Sequence, residues 1–216
     1  MIAIVDYGIG NLASIRNMLR HIGADAVLTD DPKVVEASTG LVLPGIGAFD
    51  SCMNGFKRSP AYEAVELQVR ELRKPILGIC VGMQMMGRGS DEGKERGLNW
   101  IAADVKRLVP DPSLNLKVPH LGWSYIETNP ACPLFNEESA DRRFYFAHSF
   151  HVVCDNSSVV AASCNYGGSI TCAVWADNVF GVQFHPEKSH SHGMRLLEAF
   201  RRIAGEPSTR PAYDAI

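Results

Sequence analysis

The segment Ile76-Leu-Gly-Ile-Cys80-Val-Gly82 constrains this chain more than any other. Residues 76–79 carry no polar side chain, so this strand-length run has to be covered on both faces, as the central strands of parallel sheets are. Gly78 and Gly82 flank a cysteine in the pattern G-x-C-x-G. That spacing leaves room for a sharp strand-to-helix turn with the middle residue raised at its tip. Met83, Met85 and Met86 then read as the start of a helix. A cysteine at such a turn stands at the C-terminal edge of the sheet, where open α/β folds bind their ligands. The free N–H groups at the start of the helix favour its thiolate. A merely buried cysteine would not need both glycines.

The rest of the first half repeats the same alternation. Strands are expected over residues 2–5, 26–28 and 40–43. A helix capped by Asn11 carries Leu12, Ile15, Leu19 and Ile22 on one face and closes at Gly23. Ser59-Pro60 opens another helix, with Val65, Val69 and Leu72 turned inward. In the second half, short strands separated by turns are expected over residues 105–108, 123–127, 144–149, 159–162, 170–175 and 179–184. A last helix over residues 194–203 packs Leu197, Phe200 and Ile203. These signals predict an α/β fold with a mixed, mainly parallel sheet flanked by helices and extended by antiparallel strands in the second half. No repeat or linker interrupts it, so a single domain over residues 1–205 is expected, followed by a frayed tail over 206–216.

The apolar run over 179–184 ends in His185-Pro186-Glu187-Lys188. Residues two apart in an extended chain face the same side, so His185 and Glu187 are expected together, stiffened by Pro186. With Cys80 they make a complete nucleophilic set. Cys80 attacks, His185 takes its proton, and Glu187 orients the ring and stabilises its cation.

Composition removes other classes of function. A net charge of −3 over 216 residues, with a pI near 6.2, gives no electrostatic basis for binding nucleic acid or an anionic membrane. The six cysteines form no C-x-x-C pair. His190 and His192 read as solvent-facing residues before the last helix, so neither a metal nor a cofactor is expected. The N-terminal run ends in Asp6 after strand length, unlike a signal peptide, and no stretch is long enough to span a membrane. A cytoplasmic chain with reduced thiols is expected.

The segments Gly78 to Gln84 ("GICVGMQ") and Gly181 to Ser189 ("GVQFHPEKS") together resemble the class I (triad) glutamine amidotransferases. Adding "DYGIGN" from Asp6, "LPGIGAF" from Leu43, "VPHLGW" from Val118 and "FYFAHSF" from Phe144, the chain is similar to the glutaminase subunits of imidazole glycerol phosphate synthase in histidine biosynthesis. The resemblance implies a flavodoxin-like glutaminase fold. It also implies hydrolysis of L-glutamine to glutamate and ammonia through a thioester on Cys80, with Cys80, His185 and Glu187 as the triad. By the same resemblance, the loop Pro44-Gly45-Ile46-Gly47 and the N–H of Val81 would supply the oxyanion hole, and Gln84 and Glu92 would hold the ends of glutamine. His148, Ser149 and Phe150 form the opposite wall. The partner implied is a (β/α)₈-barrel synthase in a heterodimer, with Lys188 against it. The loop Gly8-Ile9-Gly10-Asn11, at the C-terminal end of a parallel strand, is expected at the same partner face, and His120 is expected to be interfacial or structural. Phe150 stands where the family commonly has tyrosine, and Ser124 where it commonly has asparagine. A related subunit feeding a sugar-modifying synthase, or a stand-alone Cys-His-Glu hydrolase, are the alternatives.

Overall fold

A computed structural model describes residues 1–135 and 142–207. Its elements run β1 (Ile2–Val5), α1 (Leu12–His21), β2 (Ala26–Thr29), α2 (Pro32–Ala37), β3 (Gly40–Gly45), α3 (Phe49–Arg58), α4 (Tyr62–Arg70), β4 (Ile76–Cys80) and α5 (Val81–Met85). The second half continues with β5 (Ala103–Arg107), β6 (His120–Thr128), β7 (Arg143–His148), β8 (Phe150–Cys154), β9 (Val160–Asn165), β10 (Ser169–Ala176), β11 (Val179–Val182) and α6 (His190–Ile203).

All strands join one sheet, in the order β2-β1-β3-β4-β11-β10-β9-β6-β7, with β8 paired to β10 and β5 to β8. From β2 to β11 the pairing is parallel, and beyond β11 it is antiparallel. β1, β3 and β4 are buried along their whole lengths, as strands with apolar side chains on both faces must be. Two groups of helices supply the cover: α1 packs with α6, while α3 and α2 both pack on α4.

The joint between the two halves is β11. Sequence alone placed it in the antiparallel extension, but Gly181 and Val182 pair in parallel with Gly78 and Ile79 of β4. The segment that leads to His185 therefore runs beside the strand that ends in Cys80, in the same direction. On the other side of β4, Gly45 pairs with Cys80. Three chain segments thus reach one edge of the sheet together.

Some local expectations fail for identifiable reasons. Asn11 precedes α1 but makes no side-chain cap. Leu72 is 61% exposed because α4 ends at Arg70, whereas Val65 and Val69 are buried as expected. Residues 144–154 form two strands, β7 and β8, broken at Ser149. The tail expected to fray from residue 206 starts with an anchored residue: the Glu206 carboxylate pairs with the Met1 ammonium, and its carbonyl accepts from the Arg201 guanidinium. Residues 208–216 lie outside the described residues.

Candidate active site

β4 passes into α5 with no intervening loop, and Cys80 sits at the junction with φ 56° and ψ −111°. A positive φ on a cysteine costs about 1–3 kcal/mol and persists only where the surroundings enforce it. Here the glycines allow it. A Cβ on Gly82 would lie 1.9 Å from the Leu43 carbonyl oxygen, and one on Gly78 would lie 2.7 Å from that of Gly82. Gly82 is pressed against β3 and Gly78 against Gly82 and Met86, so no side chain fits at either place, as the spacing predicts.

His185 lies beyond the end of β11 and is fixed from several directions. Its N–H donates to Tyr145 O at 2.9 Å, and its carbonyl accepts from the buried Ser189 hydroxyl at 2.6 Å. Pro186–Lys188 form one turn of 3₁₀ helix, so Glu187 meets the ring through a turn rather than along a strand. Glu187 Oε1 stands 2.9 Å from His185 Nδ1. That contact leaves Nε2 free to serve the thiol of Cys80, whose influence on the ring shows in its proton affinity. Burial alone would lower the ring's proton affinity; the interactions with Cys80 and Glu187 outweigh it and carry the pKa up to about 9. At neutral pH the ring is therefore an imidazolium, the partner a thiolate needs. Asn11 reaches the same carboxylate, with Nδ2 3.4 Å from Glu187 Oε1. This contact brings the loop Gly8-Ile9-Gly10-Asn11 to the edge of the triad.

The loop after β3 lies on the opposite side of Cys80. Gly45 is pressed against the elbow, where a Cβ would come within 2.6 Å of Gly82 N. Gly47 has φ 81° and open space around it. The carbonyl of Pro44 accepts from the Tyr7 hydroxyl, and that of Ile46 from the Cys52 thiol at 3.3 Å. Burial raises the pKa of Cys52, so it keeps the proton that it donates. Glu92 accepts from Phe49 N–H at 2.8 Å and so caps α3 directly behind this loop. Val81 is the first residue of α5.

Gln84, expected to hold substrate, is buried on α5 and donates to Phe150 O at 3.2 Å and to Gln183 Oε1 at 3.0 Å. His148 Nδ1 also approaches Phe150 O, at 2.8 Å, and Leu108 N–H occupies Ser149 O at 2.9 Å. The expected wall is therefore a connected set. His120 corrects an expectation. It is only 2% exposed, stacked between Phe146 and Tyr166 at 4.6 and 4.0 Å, so it does not lie at a surface for a partner. β6 turns His120 inward and leaves Leu121, Trp123 and Tyr125 outward. Lys188 is exposed, its ammonium 5.7 Å from the centre of the Tyr145 ring. Sequence reasoning missed Gln183, whose amide nitrogen lies 3.7 Å from Cys80 Sγ. Its signal was present, since a glutamine inside an apolar run is an unusual core residue.

His190 and His192 pack near Trp123, with ring centroids 5.7 and 6.3 Å away. Among the described residues no group of three or more His, Cys, Asp and Glu side chains is arranged to hold a metal.

A cysteine on a strand-to-helix elbow, a histidine–glutamate pair in the turn that follows the neighbouring parallel strand and a glycine loop behind them define a glutaminase-type site. The chain belongs to the class-I glutamine amidotransferases, whose family model matches residues 3–203. It is 44% identical over 200 residues to an imidazole glycerol phosphate synthase subunit HisH 2 of Pseudomonas aeruginosa, covering 93% of this chain and 98% of that one. It is 42% identical to the subunit of the same name from Methanococcus maripaludis, covering 94% and 100%. Within the class, it belongs with these HisH subunits. The fold agrees: a crystal structure of a glutamine amidotransferase superposes with TM-score 0.72 at 19% identity over 95% of this chain and 100% of the other. The PurLQS structure from Thermotoga maritima gives 0.69 at 19% identity, over 94% and 97%.

Proposed function

We propose that this chain is the glutaminase subunit of an imidazole glycerol phosphate synthase in histidine biosynthesis, hydrolysing L-glutamine and passing the ammonia to a (β/α)₈-barrel synthase subunit. The observation that carries the reading is the His185–Glu187 pair, delivered by β11 beside the β4 elbow that raises Cys80. Cys80 Sγ attacks the side-chain carbonyl carbon of glutamine, and the carbonyl electron pair moves to oxygen. N–H groups of residues 45–47 and Val81 stabilise that oxyanion. The C–N bond then breaks, and the nitrogen leaves as ammonia with the proton of His185. Water attacks the thioester, His185 takes its proton, and glutamate departs as the C–S bond breaks. Glu92 holds one end of the substrate, opposite residues 148–150, and Gln84, whose amide nitrogen is bonded to Phe150 O and Gln183 Oε1, meets the other end only through its oxygen. The test mixes the purified chain with a candidate barrel subunit and follows glutamate release from glutamine. No glutamate with any such partner, under conditions where imidazole glycerol phosphate forms from ammonium salts, would overturn the reading.

The proton on His185 makes the pH dependence specific. With a pKa near 9, the ring can protonate the leaving nitrogen throughout the neutral range and loses that ability as pH rises through about 9. We expect kcat/KM for glutamine to fall on the alkaline side with a midpoint near pH 9. A midpoint near 6.5, the ordinary value for histidine, would mean that the ring is not paired as described.

The partner face in this reading contains Lys188 and the loop 8–11, which borders Glu187. Leu121, Trp123 and Tyr125 project from one face of β6, and Trp123 and Tyr145 lie 6.2 Å apart. This aromatic stripe continues the face from Lys188. Lys188→Ala should weaken the complex by up to roughly fivefold, as loss of one rim charge does. Titration calorimetry would check it, and unchanged affinity together with unchanged glutamine-dependent synthesis would remove Lys188 from the face. A cytoplasmic location belongs to the same proposal. Among the described residues no helix is long and apolar enough to cross a membrane.

A further inference from the structure

Gln183 is fully buried and has no role in the triad, yet its amide nitrogen is 3.7 Å from the nucleophilic sulfur. Its orientation follows from a chain of contacts that admits one assignment of donors. The Phe150 carbonyl only accepts, so the Gln84 atom 3.2 Å from it is the NH₂ group, which also donates to Gln183 Oε1. The Gln183 NH₂ group must then face Cys80. The same carbonyl fixes the proton of His148 on Nδ1, 2.8 Å away, and leaves its Nε2 as an acceptor. His120 Nδ1, at 3.1 Å, donates to that Nε2, and His120 Nε2 accepts from the Ser124 hydroxyl at 2.8 Å. Burial holds both rings neutral, with pKa values pushed down to about 4 for His120 and about 3 for His148.

We infer that Gln183 is a further catalytic residue, donating an N–H to the Cys80 thiolate, and that Gln84, the Phe150 carbonyl, His148 and His120 are positioning groups that keep that donor aimed at sulfur. A hydrogen bond to a charged acceptor is about twice as strong as one to a neutral acceptor, so the Gln183 amide favours the thiolate over the thiol. The chain spans the site, from the nucleophile through the substrate wall to β6. It explains why a glutamine occupies an apolar strand end and why two histidines are buried without charge.

The inference rests on reading Cys80 as the nucleophile, but its test needs no glutamine turnover. The test is the pH profile of Cys80 alkylation by iodoacetamide in the full chain, followed on the Cys80 peptide by mass spectrometry. Gln183→Met fills similar volume without a donor, and its midpoint should move up by about one pH unit, the loss of one hydrogen bond to the charged form. Gln183→Glu keeps the shape and adds negative charge, and should move it up at least as far. His120→Phe keeps the stack on Phe146 and Tyr166 but cuts the outer link, and should give a smaller shift in the same direction. If the methionine variant fails to fold, the glutamate variant decides. A wild-type midpoint in the folded Gln183 variants would overturn the inference, and one in His120→Phe alone would overturn the role of the outer half of the chain. Absence of glutaminase activity in the wild-type complex, with the Cys80 shifts as expected, would count against the proposed function instead.

Discussion

Replacing Cys80 with alanine is expected to abolish glutamine hydrolysis while the assembled synthase still works with added ammonium salts. Removing a nucleophile of this kind costs roughly 10⁴-fold or more in turnover, because the covalent route is lost altogether. The fold should survive. Alanine tolerates the positive φ at position 80 about as well as cysteine does, and the tight packing at the elbow involves Gly78 and Gly82 rather than the thiol. The ammonium-dependent reaction belongs to the partner and never passes through sulfur. The measurement is glutamate formation and ammonium-dependent synthesis by the same complex, wild type against variant. If the variant still hydrolysed glutamine, Cys80 would be an ordinary core residue and the triad assignment would be wrong.

The parts of this site that could be read from sequence are those with short-range causes. Gly78, Cys80 and Gly82 encode their own turn, because the steric demand that excludes a Cβ is local. The His185–Glu187 pairing was also legible, although the backbone that achieves it is a 3₁₀ turn. What could not be read depends on pairing across long sequence distances. No local pattern says that β11 lies parallel to β4, and that register is what places Gln183 beside Cys80. His120 was misread for a related reason. The alternation along β6 puts one face out and the other in, but which face is which depends on Phe146 and Tyr166, far along the chain. The helix α3 was missed although Phe49, Cys52, Met53 and Phe56 are its buried face. It follows the glycine loop directly and contains Gly55, a weak helix former that packs against Tyr7.

The same loop governs the second large effect, activation by the partner. The chain alone should be a poor glutaminase, and its partner holding its own substrate should raise turnover by at least roughly 10²–10³-fold, the worth of one oxyanion donor. The geometry says where a switch can sit. Gly45 cannot move, because the elbow is packed against it. Beyond it, the peptide between Ile46 and Gly47 is held at its carbonyl by the Cys52 thiol at 3.3 Å, and Gly47 has open space around it and φ 81°. Turning this peptide breaks one thiol-to-carbonyl bond, a weak one, and glycine accepts the new backbone angles with little strain. A small free-energy difference between two loop states is what a partner can reverse. The same linkage requires that partner and substrate tighten productive glutamine binding, since coupling between sites is reciprocal. Glutamate production should be compared for the chain alone, with the barrel subunit, and with the barrel subunit and its substrate. Full turnover by the lone chain would rule out a partner-operated loop and favour a hydrolase that works by itself.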